Sequence, residues 1–247
     1  MTTMKLRLLL AALALPVLAG CGADAPAARQ ETGYATGLVV DTRGNPVAGA
    51  RILLDNTVFY SSYINGSTAD DGTYRLKVQP GAWRAYASIR KDYNGRTYSL
   101  DLHPDSVDSF DDAGAVRNFT WKLEGRKPDN DWGYYGGLVK VFDETRFHEM
   151  EEVEITLEPV GPLIDGSHGR TLVLRLGDNY WRDRAYLEDI PIGRYTVSAA
   201  VVDGDARQAL RVRDWDTRED AGERMQLDFI PDSSGSPGAT ASIAIGD

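Results

Sequence analysis

The chain has 247 residues, a formal charge of −10 and 42% hydrophobic residues. This length suits one large or two average-sized domains, and the composition is that of a folded protein. Nucleic acid is excluded as an expected partner, because a sequence pI near 4.8 makes most of the surface repel a polyanion. The single cysteine excludes an internal disulfide.

The first residues follow the plan of an exported protein. Lys5 and Arg7 precede an apolar run from Leu8 to Leu18, which at about eleven residues is too short to span a membrane. We therefore predict that residues 1–20 are a signal peptide. Residues 21–32 are mostly small or polar and contain a proline, and this composition predicts a flexible tether.

The end of the predicted signal peptide resembles a bacterial lipobox. Leu18, Ala19 and Gly20 precede Cys21, the only cysteine of the chain. The resemblance implies that Cys21 begins the mature protein and carries acyl chains such as palmitate, which anchor it in a membrane. The alternative is an ordinary secretory signal followed by an unrelated cysteine. Gly22, in place of an aspartate retention signal, favours the outer membrane in a host with two membranes.

From Gly37 onward the chain consists of short alternating or apolar runs separated by Gly, Pro, Asn and Asp. No amphipathic stretch is long enough for a good helix, so we predict an all-β protein. Asn65-Gly66 and Asp71-Gly72 are tight-turn signals within the first part of the chain. Seven short strands in about ninety residues are typical of a β-sandwich.

Four motifs in this part of the chain resemble the carboxypeptidase regulatory-like family. They occur in the family's order at residues 37–41 (GLVVD), 44–50 (GNPVAGA), 68–74 (TADDGTY) and 80–81 (PG). The resemblance implies a transthyretin-like, immunoglobulin-like sandwich over residues 33–124. It implies little about function, because such sandwiches serve many roles as accessory modules.

The pattern restarts after residues 125–131, a charged segment with a proline that we interpret as a linker. Residues 137–139 repeat the sequence Gly-Leu-Val of residues 37–39. We predict a second, diverged β-sandwich over residues 132–231. A spacing near one hundred residues indicates a duplicated domain rather than a solenoid.

The end of the chain predicts one more strand and then a tail. Met225 to Ile230 is interpreted as the last strand, in the position that Phe119 to Leu123 occupies in the first sandwich. Residues 232–247 are rich in Ser, Gly, Ala and Asp, a composition that predicts a flexible tail.

Candidate catalytic residues are few. His148 and Glu151 have the spacing of a carboxypeptidase zinc pair, but a zinc site needs a further ligand, and the only later histidine is His168. Ser167 precedes His168 without the strand-turn-helix context of a nucleophile elbow. We interpret both motifs as loops and predict a protein with no enzymatic activity and no cofactor.

One acidic loop is a candidate for a structural calcium ion, because Ca²⁺ prefers oxygen ligands. Its carboxylates are Asp105, Asp108, Asp111 and Asp112. The spacing matches no EF-hand loop, so a solvated loop is the favoured interpretation. Asp129 and Asp131 in the linker are a weaker candidate.

Two aromatic clusters are candidates for ligand binding. The first is Phe59, Tyr60 and Tyr63, and the second is Trp132, Tyr134 and Tyr135. Exposed rings on a sandwich can stack on the apolar faces of sugars. The alternative is that the rings are buried, the first cluster at a sandwich end and the second in the interdomain hinge, because large rings usually pack inside.

Together these features predict two tandem β-sandwich domains after a lipoprotein signal peptide, in a non-catalytic protein of the cell envelope. Its function is then protein interaction, adhesion or assembly, with exposed strand edges available for pairing. The alternative is a carbohydrate-binding protein at the cell surface. The expected partners are the membrane, through the N-terminal lipid, and an envelope protein or a glycan.

Overall fold

The computed structural model describes residues 29–128, 133–145, 150–176, 180–181, 184–232 and 238–247. In these residues the chain forms β-strands and a single 3-10 turn at Met150–Glu152, which confirms the all-β prediction. The predicted signal peptide, Cys21 and most of the predicted tether lie outside the described residues. No helix in the described ranges is long and apolar enough to cross a membrane.

The first half forms two sheets. Its strands are β1 (Tyr34–Val40), β2 (Arg51–Asn56), β3 (Tyr63–Ser67), β4 (Thr73–Lys77), β5 (Trp83–Tyr93), β6 (Arg96–Asp101), β7 (His103–Pro104), β8 (Ala115–Val116) and β9 (Phe119–Thr120). One sheet has the order β4-β1-β9-β7, with β8 beside β1, and the other has the order β3-β2-β5-β6. Val39, Ile52 and Phe119 are among the buried side chains between them.

The strands of the second half form one continuous ten-stranded sheet. Its strands are β10 (Gly137–Asp143), β11 (Val153–Pro159), β12 (Leu172–Arg175), β13 (Tyr180–Trp181), β14 (Arg184–Ile190), β15 (Arg194–Asp203), β16 (Ala206–Asp214), β17 (Met225–Asp228), β18 (Ile230–Pro231) and β19 (Ala239–Gly246). Their order is β12-β11-β15-β16-β19-β10-β14-β13, with β17 beside β15 and β18 beside β19. The long β16 joins the two layers, because residues 206–210 pair with β15 and residues 211–214 with β19.

The two halves repeat one pattern of strand pairing. β1 pairs antiparallel with β4 and parallel with β9, as β10 pairs with β14 and β19. β2 lies between β3 and β5, as β11 lies between β12 and β15. The segment β6–β7 passes from β5 to β9, as β16 passes from β15 to β19. The repeated Gly-Leu-Val sequence therefore falls on equivalent strands.

The first residue of that repeated sequence is glycine in both halves, and in both a side chain there would overlap its neighbours. A side chain on Gly37 would overlap the ring of Tyr74 and the carbonyl oxygen of Arg117. A side chain on Gly137 would overlap the ring of Phe229. In each half an aromatic ring covers the strand where a Cβ is missing, so a larger residue would force the ring away.

The predicted flexible tail is wrong for residues 239–246. These residues form β19, which pairs in parallel with β10, and Ile243 and Ile245 are fully buried. The alternation of buried residues along β19 is that of a strand. The prediction failed because the small residues around it gave the segment the composition of a loop.

The position of the predicted last strand is also corrected. Met225–Asp228 does form a strand, β17, but it pairs antiparallel with β15. The counterpart of β9 is β19, since each pairs in parallel with the first strand of its half. Residues 233–237, between β18 and β19, lie outside the described ranges.

The described end of the predicted tether is bound to the first half. Gln30 Nε2 donates a 3.2 Å hydrogen bond to the carbonyl oxygen of Gly114. The Glu31 carboxylate pairs with the Arg75 guanidinium at 2.6 Å. The predicted flexibility is therefore wrong for Gln30 and Glu31, which these contacts fasten to the sandwich.

The described part of the linker, residues 125–128, is held by both halves. Lys127 Nζ lies 2.6 Å from the Asp101 carboxylate at the end of β6. The backbone N–H of Gly125 donates to the Asp189 carboxylate of β14 at 2.7 Å. These contacts fix the path of the chain between the halves.

The two halves also pack directly on each other. Tyr93 Oη donates to the carbonyl oxygen of Pro162 at 2.8 Å and accepts from the backbone N–H of Arg194 at 3.1 Å. Thr42 Oγ1 donates to Asp165 Oδ2 at 2.7 Å. The second half therefore packs against loops and hairpins at the end of the first half where β1 finishes.

Candidate functional site

The first predicted aromatic cluster is exposed. Tyr60 is 99% exposed and Phe59 is 63% exposed, in the loop between β2 and β3, and Tyr63 is half-exposed at the start of β3. Val58 is 67% exposed beside them. We call residues 57–60 the apolar loop. The side chains of Val58, Phe59 and Tyr60 are not part of the hydrophobic core.

The apolar loop has a defined backbone. Asn56, which is buried, accepts hydrogen bonds of 2.9 Å at its Oδ1 from the backbone N–H groups of Val58 and Phe59. The backbone N–H of Thr57 donates to the carbonyl oxygen of Ala82 at 2.8 Å. An Asn side chain that caps its own following residues is a typical turn device. The loop thus presents its apolar side chains without a partner strand.

The second aromatic cluster does not form an exposed platform. Tyr135 is 9% exposed, its hydroxyl oxygen lies 3.1 Å from His103 Nδ1, and its ring meets the His103 ring edge-on. Tyr134 is half-buried and its hydroxyl accepts a hydrogen bond from Arg126. Trp132 lies outside the described residues. The described part of this cluster thus follows the alternative interpretation of packed rings, although Tyr135 also lines a cavity.

The four carboxylates of the acidic loop do not converge. Asp105 accepts from Asn118 Nδ2 at 2.8 Å, and Asp108 accepts from Ser106 Oγ at 3.2 Å. Asp111 Oδ1 accepts from the backbone N–H of Ala113 at 2.9 Å, while Asp112 offers its backbone carbonyl to Gly33. In the described part of the chain no three His, Cys, Asp or Glu side chains form a group that could hold a metal ion. Asp129 and Asp131 lie outside it.

Neither sequence pair considered for catalysis is assembled in the described residues. Ser167 Oγ donates to Asp165 Oδ1 at 2.6 Å, and His168 is exposed. His148 lies outside the described ranges. Burial of Asp165 opposes its ionisation, but hydrogen bonds from Ser167 and Thr42 outweigh that effect and lower its pKa below the ordinary value. Asp165 is therefore a carboxylate, and the hydrogen bond that it accepts from Thr42 links the two halves.

A groove missed by the sequence analysis runs along β5 and β6 of the β3-β2-β5-β6 sheet and is lined by residues from both of its faces. Burial alternates along β5, so that Trp83, Ala85 and Ala87 face the core whereas Arg84, Tyr86 and Ser88 face outward. Tyr86 is the cross-strand partner of Leu53, which is the partner of Asn65. The outer face thus carries an aromatic ring between polar side chains.

Two adjoining cavities, of about 260 Å³ and 350 Å³, share Tyr86, Ala87 and Asp101. We call the joined cavities the sheet groove. Its other polar and charged lining residues are Arg51, Arg84, Ser88, Ser99, Lys127 and Tyr135. Together the cavities reach the size at which small ligands are bound in proteins.

Arg84 lines the sheet groove, and its Nε is buried and has no hydrogen-bond partner. Arg117 Nε has the same property, but Arg117 does not line the groove. Asp55 lies directly across from Arg84 on β2, yet no ion pair joins these two side chains. Buried polar groups almost always have a partner, so an unpartnered Nε on an arginine that lines a cavity indicates a place for an acceptor.

The charge of the sheet groove is opposite to that of the whole chain. Arg51, Arg84 and Lys127 line it against one carboxylate, Asp101, which is paired with Lys127 at 2.6 Å. The chain as a whole carries −10. The groove is therefore a local positive site on an acidic protein, and an anionic ligand suits it.

No protein-family model matches this chain, and no curated protein matches it. The solved structure of the Bacillus anthracis TIE protein is similar with a TM-score of 0.35 and 12% identity, over 87% of this chain and 34% of that one. A putative adhesin from Bacteroides ovatus gives 0.28 and 10%, over 72% and 81%. The streptococcal ancillary pilin gives 0.27 and 12%, over 86% and 69%.

This chain therefore spans about a third of the length of the Bacillus anthracis protein. Similarity at these TM-scores assigns neither a family nor a function. The resemblance of residues 33–124 to the carboxypeptidase regulatory-like family stays a prediction.

Proposed function

We propose that this chain is a non-catalytic binding protein of the cell envelope and that the sheet groove is its ligand site. The observation that carries the proposal is that Arg84, which lines the groove, has a buried Nε without an acceptor. A planar guanidinium is the side chain best suited to bind a carboxylate. A carboxylate placed in the groove would supply an acceptor to the Arg84 side chain.

The surroundings of Arg84 favour a carboxylated glycan as the ligand. Tyr86 lines both cavities, and Ser88 and Ser99 line one of them. A sugar has apolar C–H faces that pack on a ring and hydroxyl groups that need hydrogen-bond partners. The groove offers both kinds of contact. Tyr135 also lines one of its cavities, but its side chain is buried.

Attachment to the envelope is the second part of the proposal. The lipobox-like residues 18–21 support acylation of Cys21, with the protein held at the outer membrane where the host has two membranes. The carboxypeptidase regulatory-like identity of residues 33–124 is proposed with it. It is supported by two of the motifs that carry the resemblance, since Asp41 and Asp71 each accept backbone hydrogen bonds in the turns that follow them.

The test is a binding titration of the full-length chain, in a mild detergent, against polygalacturonate, its methyl ester and dextran. We expect the acid to bind, the ester to bind at least about ten-fold more weakly, and dextran to show no binding. Loss of a charge-assisted hydrogen bond costs about 1.5–3 kcal/mol, so Arg84→Gln should weaken binding of the acid about ten-fold or more.

Arg175→Gln is the matched control, because Arg175 is an exposed arginine on β12, far from the groove in the strand order. It removes the same charge and should leave binding unchanged. Equal binding of acid and ester would contradict the proposed carboxylate site. So would unchanged binding by a correctly folded Arg84→Gln variant.

A second candidate function is assembly with another copy of this chain. β12 is the end strand of its sheet order, and the side chain of Val173 on it is more than half exposed. An uncovered edge offers unpaired backbone groups to a partner strand. Sedimentation at increasing concentration tests this, with Val173→Lys expected to abolish any dimer and a monomer at all concentrations counting against it.

A further inference from the structure

We infer that the apolar loop rests on the membrane that holds the lipid anchor and so orients the protein on that surface. This inference rests on the proposed acylation of Cys21. It starts from three consecutive side chains, Val58, Phe59 and Tyr60, each more than 60% exposed. Exposed apolar patches mark surfaces that meet another apolar phase, and aromatic rings are favoured at membrane–water interfaces.

β1 starts at the end of the first sandwich that carries the apolar loop, and the preceding residues 29–31 run back alongside β1. The carbonyl oxygen of Gly33, just before β1, accepts from the backbone N–H of Val78 at 2.9 Å. The carbonyl oxygen of Ala82 accepts from Thr57 in the loop at 2.8 Å. Val78 and Ala82 are four residues apart, which limits their Cα separation to about 14 Å. The start of β1 and the apolar loop are therefore neighbours.

The length of the N-terminal segment limits how far this end can stand from the membrane. Arg29 is held beside β1, because its carbonyl oxygen accepts from Thr36 Oγ1 at 2.8 Å. Cys21 precedes Arg29 by eight residues, which span at most about 29 Å when fully extended. An acyl chain on Cys21 thus keeps the end of the sandwich that carries the loop within reach of the lipid surface.

The second half occupies the other end of the first sandwich. Thr42, just after β1, and Tyr93, at the β5–β6 hairpin, make its contacts with Asp165 and Pro162. The apolar loop lies at the opposite end of the first sandwich from these two contacts. The fixed backbone of the loop, capped by Asn56, means that contact with lipid requires no ordering of the loop.

The chemistry of the loop selects the lipid probe. Its side chains are apolar or aromatic and carry no charge, while the whole chain carries −10. An anionic surface would repel the protein, so phosphatidylcholine vesicles isolate the apolar contact. A few side chains cannot replace a lipid anchor. The loop instead adds its own contact with lipid to the binding that the acyl chain supplies.

The experiment uses a chain that begins at Cys21, which retains every described residue, with one myristoyl-length chain coupled to the Cys21 thiol. A single chain of this length gives only reversible binding, with an association constant of about 10⁴ M⁻¹, so an added contact is measurable. We expect Phe59→Ser/Tyr60→Ser to weaken sedimentation with phosphatidylcholine vesicles about ten-fold or more, since two rings no longer leave water. Val160→Ser, at a 44% exposed apolar side chain after β11 in the second half, is the control and should change nothing.

An unchanged vesicle affinity in the double variant would overturn the inference. If the double variant is misfolded, the single variant Tyr60→Ser repeats the comparison, because the Tyr60 side chain is 99% exposed. An unchanged vesicle affinity in that variant would also overturn the inference. The mass of Cys21 in protein purified from its host tests the anchor separately. Unmodified Cys21 there would contradict the proposed anchoring, whereas the coupled chain would still report whether the loop binds lipid.

Discussion

The hydroxyl group of Tyr98 donates a 2.7 Å hydrogen bond to the carbonyl oxygen of Phe229, and both side chains are 1% exposed. Tyr98 belongs to β6 of the first half, and Phe229 follows β17 in the second. The Phe229 ring also fills the space above Gly137. A buried bond at this point connects the cores of the two halves, so we expect them to unfold together.

Replacing Tyr98 by Phe tests this connection. The change removes the donor and leaves the Phe229 carbonyl buried without its partner, so we expect a loss of about 1–3 kcal/mol in the free energy of unfolding. Urea denaturation followed by tryptophan fluorescence and by circular dichroism gives the measurement. Tyr60→Phe, at a fully exposed hydroxyl, is the control. Two separate transitions in the wild-type chain would contradict a shared core.

The buried position of β19 predicts a second stability effect. Ile243 is fully buried at the centre of that strand, and replacing it by Ala should cost about 2–5 kcal/mol. Ile230→Ala, at a largely exposed side chain, should cost much less. Denaturant titration of both variants decides the matter. Equal stability of Ile243→Ala and wild type would mean that residues 239–246 do behave as a tail.

The paired glycines of β1 and β10 predict matched effects in the two halves. Gly37→Ala and Gly137→Ala each force a methyl group into space filled by Tyr74 or Phe229, and we expect each to destabilise the fold by about 1–3 kcal/mol or more. Thermal denaturation measures the effect. Gly246→Ala meets only ordinary contacts and serves as the control. A harmless Gly137→Ala would show that the ring does not pack there.

His103 predicts a pH dependence of stability. Burial, and then the charge of Lys122, lower its pKa below the ordinary 6.5, against a smaller opposite effect of Asp105. The folded state therefore binds this proton less tightly than the unfolded state. The stability gained from a neutral His103 is complete above pH 6.5 and is lost as the pH falls from there towards the lowered pKa.

The measurement is the melting temperature of wild type and His103→Gln across this range. We expect wild type to lose more stability on acidification than the variant. His168→Gln removes an exposed histidine and should keep the wild-type pH profile. A His103→Gln profile identical to that of wild type would show that His103 does not titrate differently on folding.

Local patterns in the sequence were sufficient for the fold class. Alternation along β2 and β5, and glycines in turns such as Gly44 and Gly72, predict strands and turns, because backbone geometry depends on near neighbours. The strand β19 was missed because Ala and Ser dominate it. Its burial depends on pairing with β10, which lies about one hundred residues earlier.

The sheet groove could not be read from the sequence, because it gathers residues from several strands and the linker. Arg84 and Tyr86 follow the outward alternation of β5, but Asp101 and Lys127 join them only through sheet pairing and the docked linker. Conversely, Trp132, Tyr134 and Tyr135 form one cluster in the sequence, yet the fold buries Tyr135. The exposure of Tyr60 excludes the alternative of a ring that plugs the sandwich end, while ligand binding by this cluster stays a prediction.

The central claim, that the sheet groove binds a carboxylated sugar, is tested most directly by locating the bound ligand. Amide chemical shifts of the isotopically labelled chain would be recorded during titration with a galacturonate trisaccharide. We predict the largest changes on β5 and β6, at Tyr86, Ser88, Ser99 and Asp101, and none in the apolar loop. Absence of shifts at these positions, or shifts confined to residues 57–63, would contradict the claim.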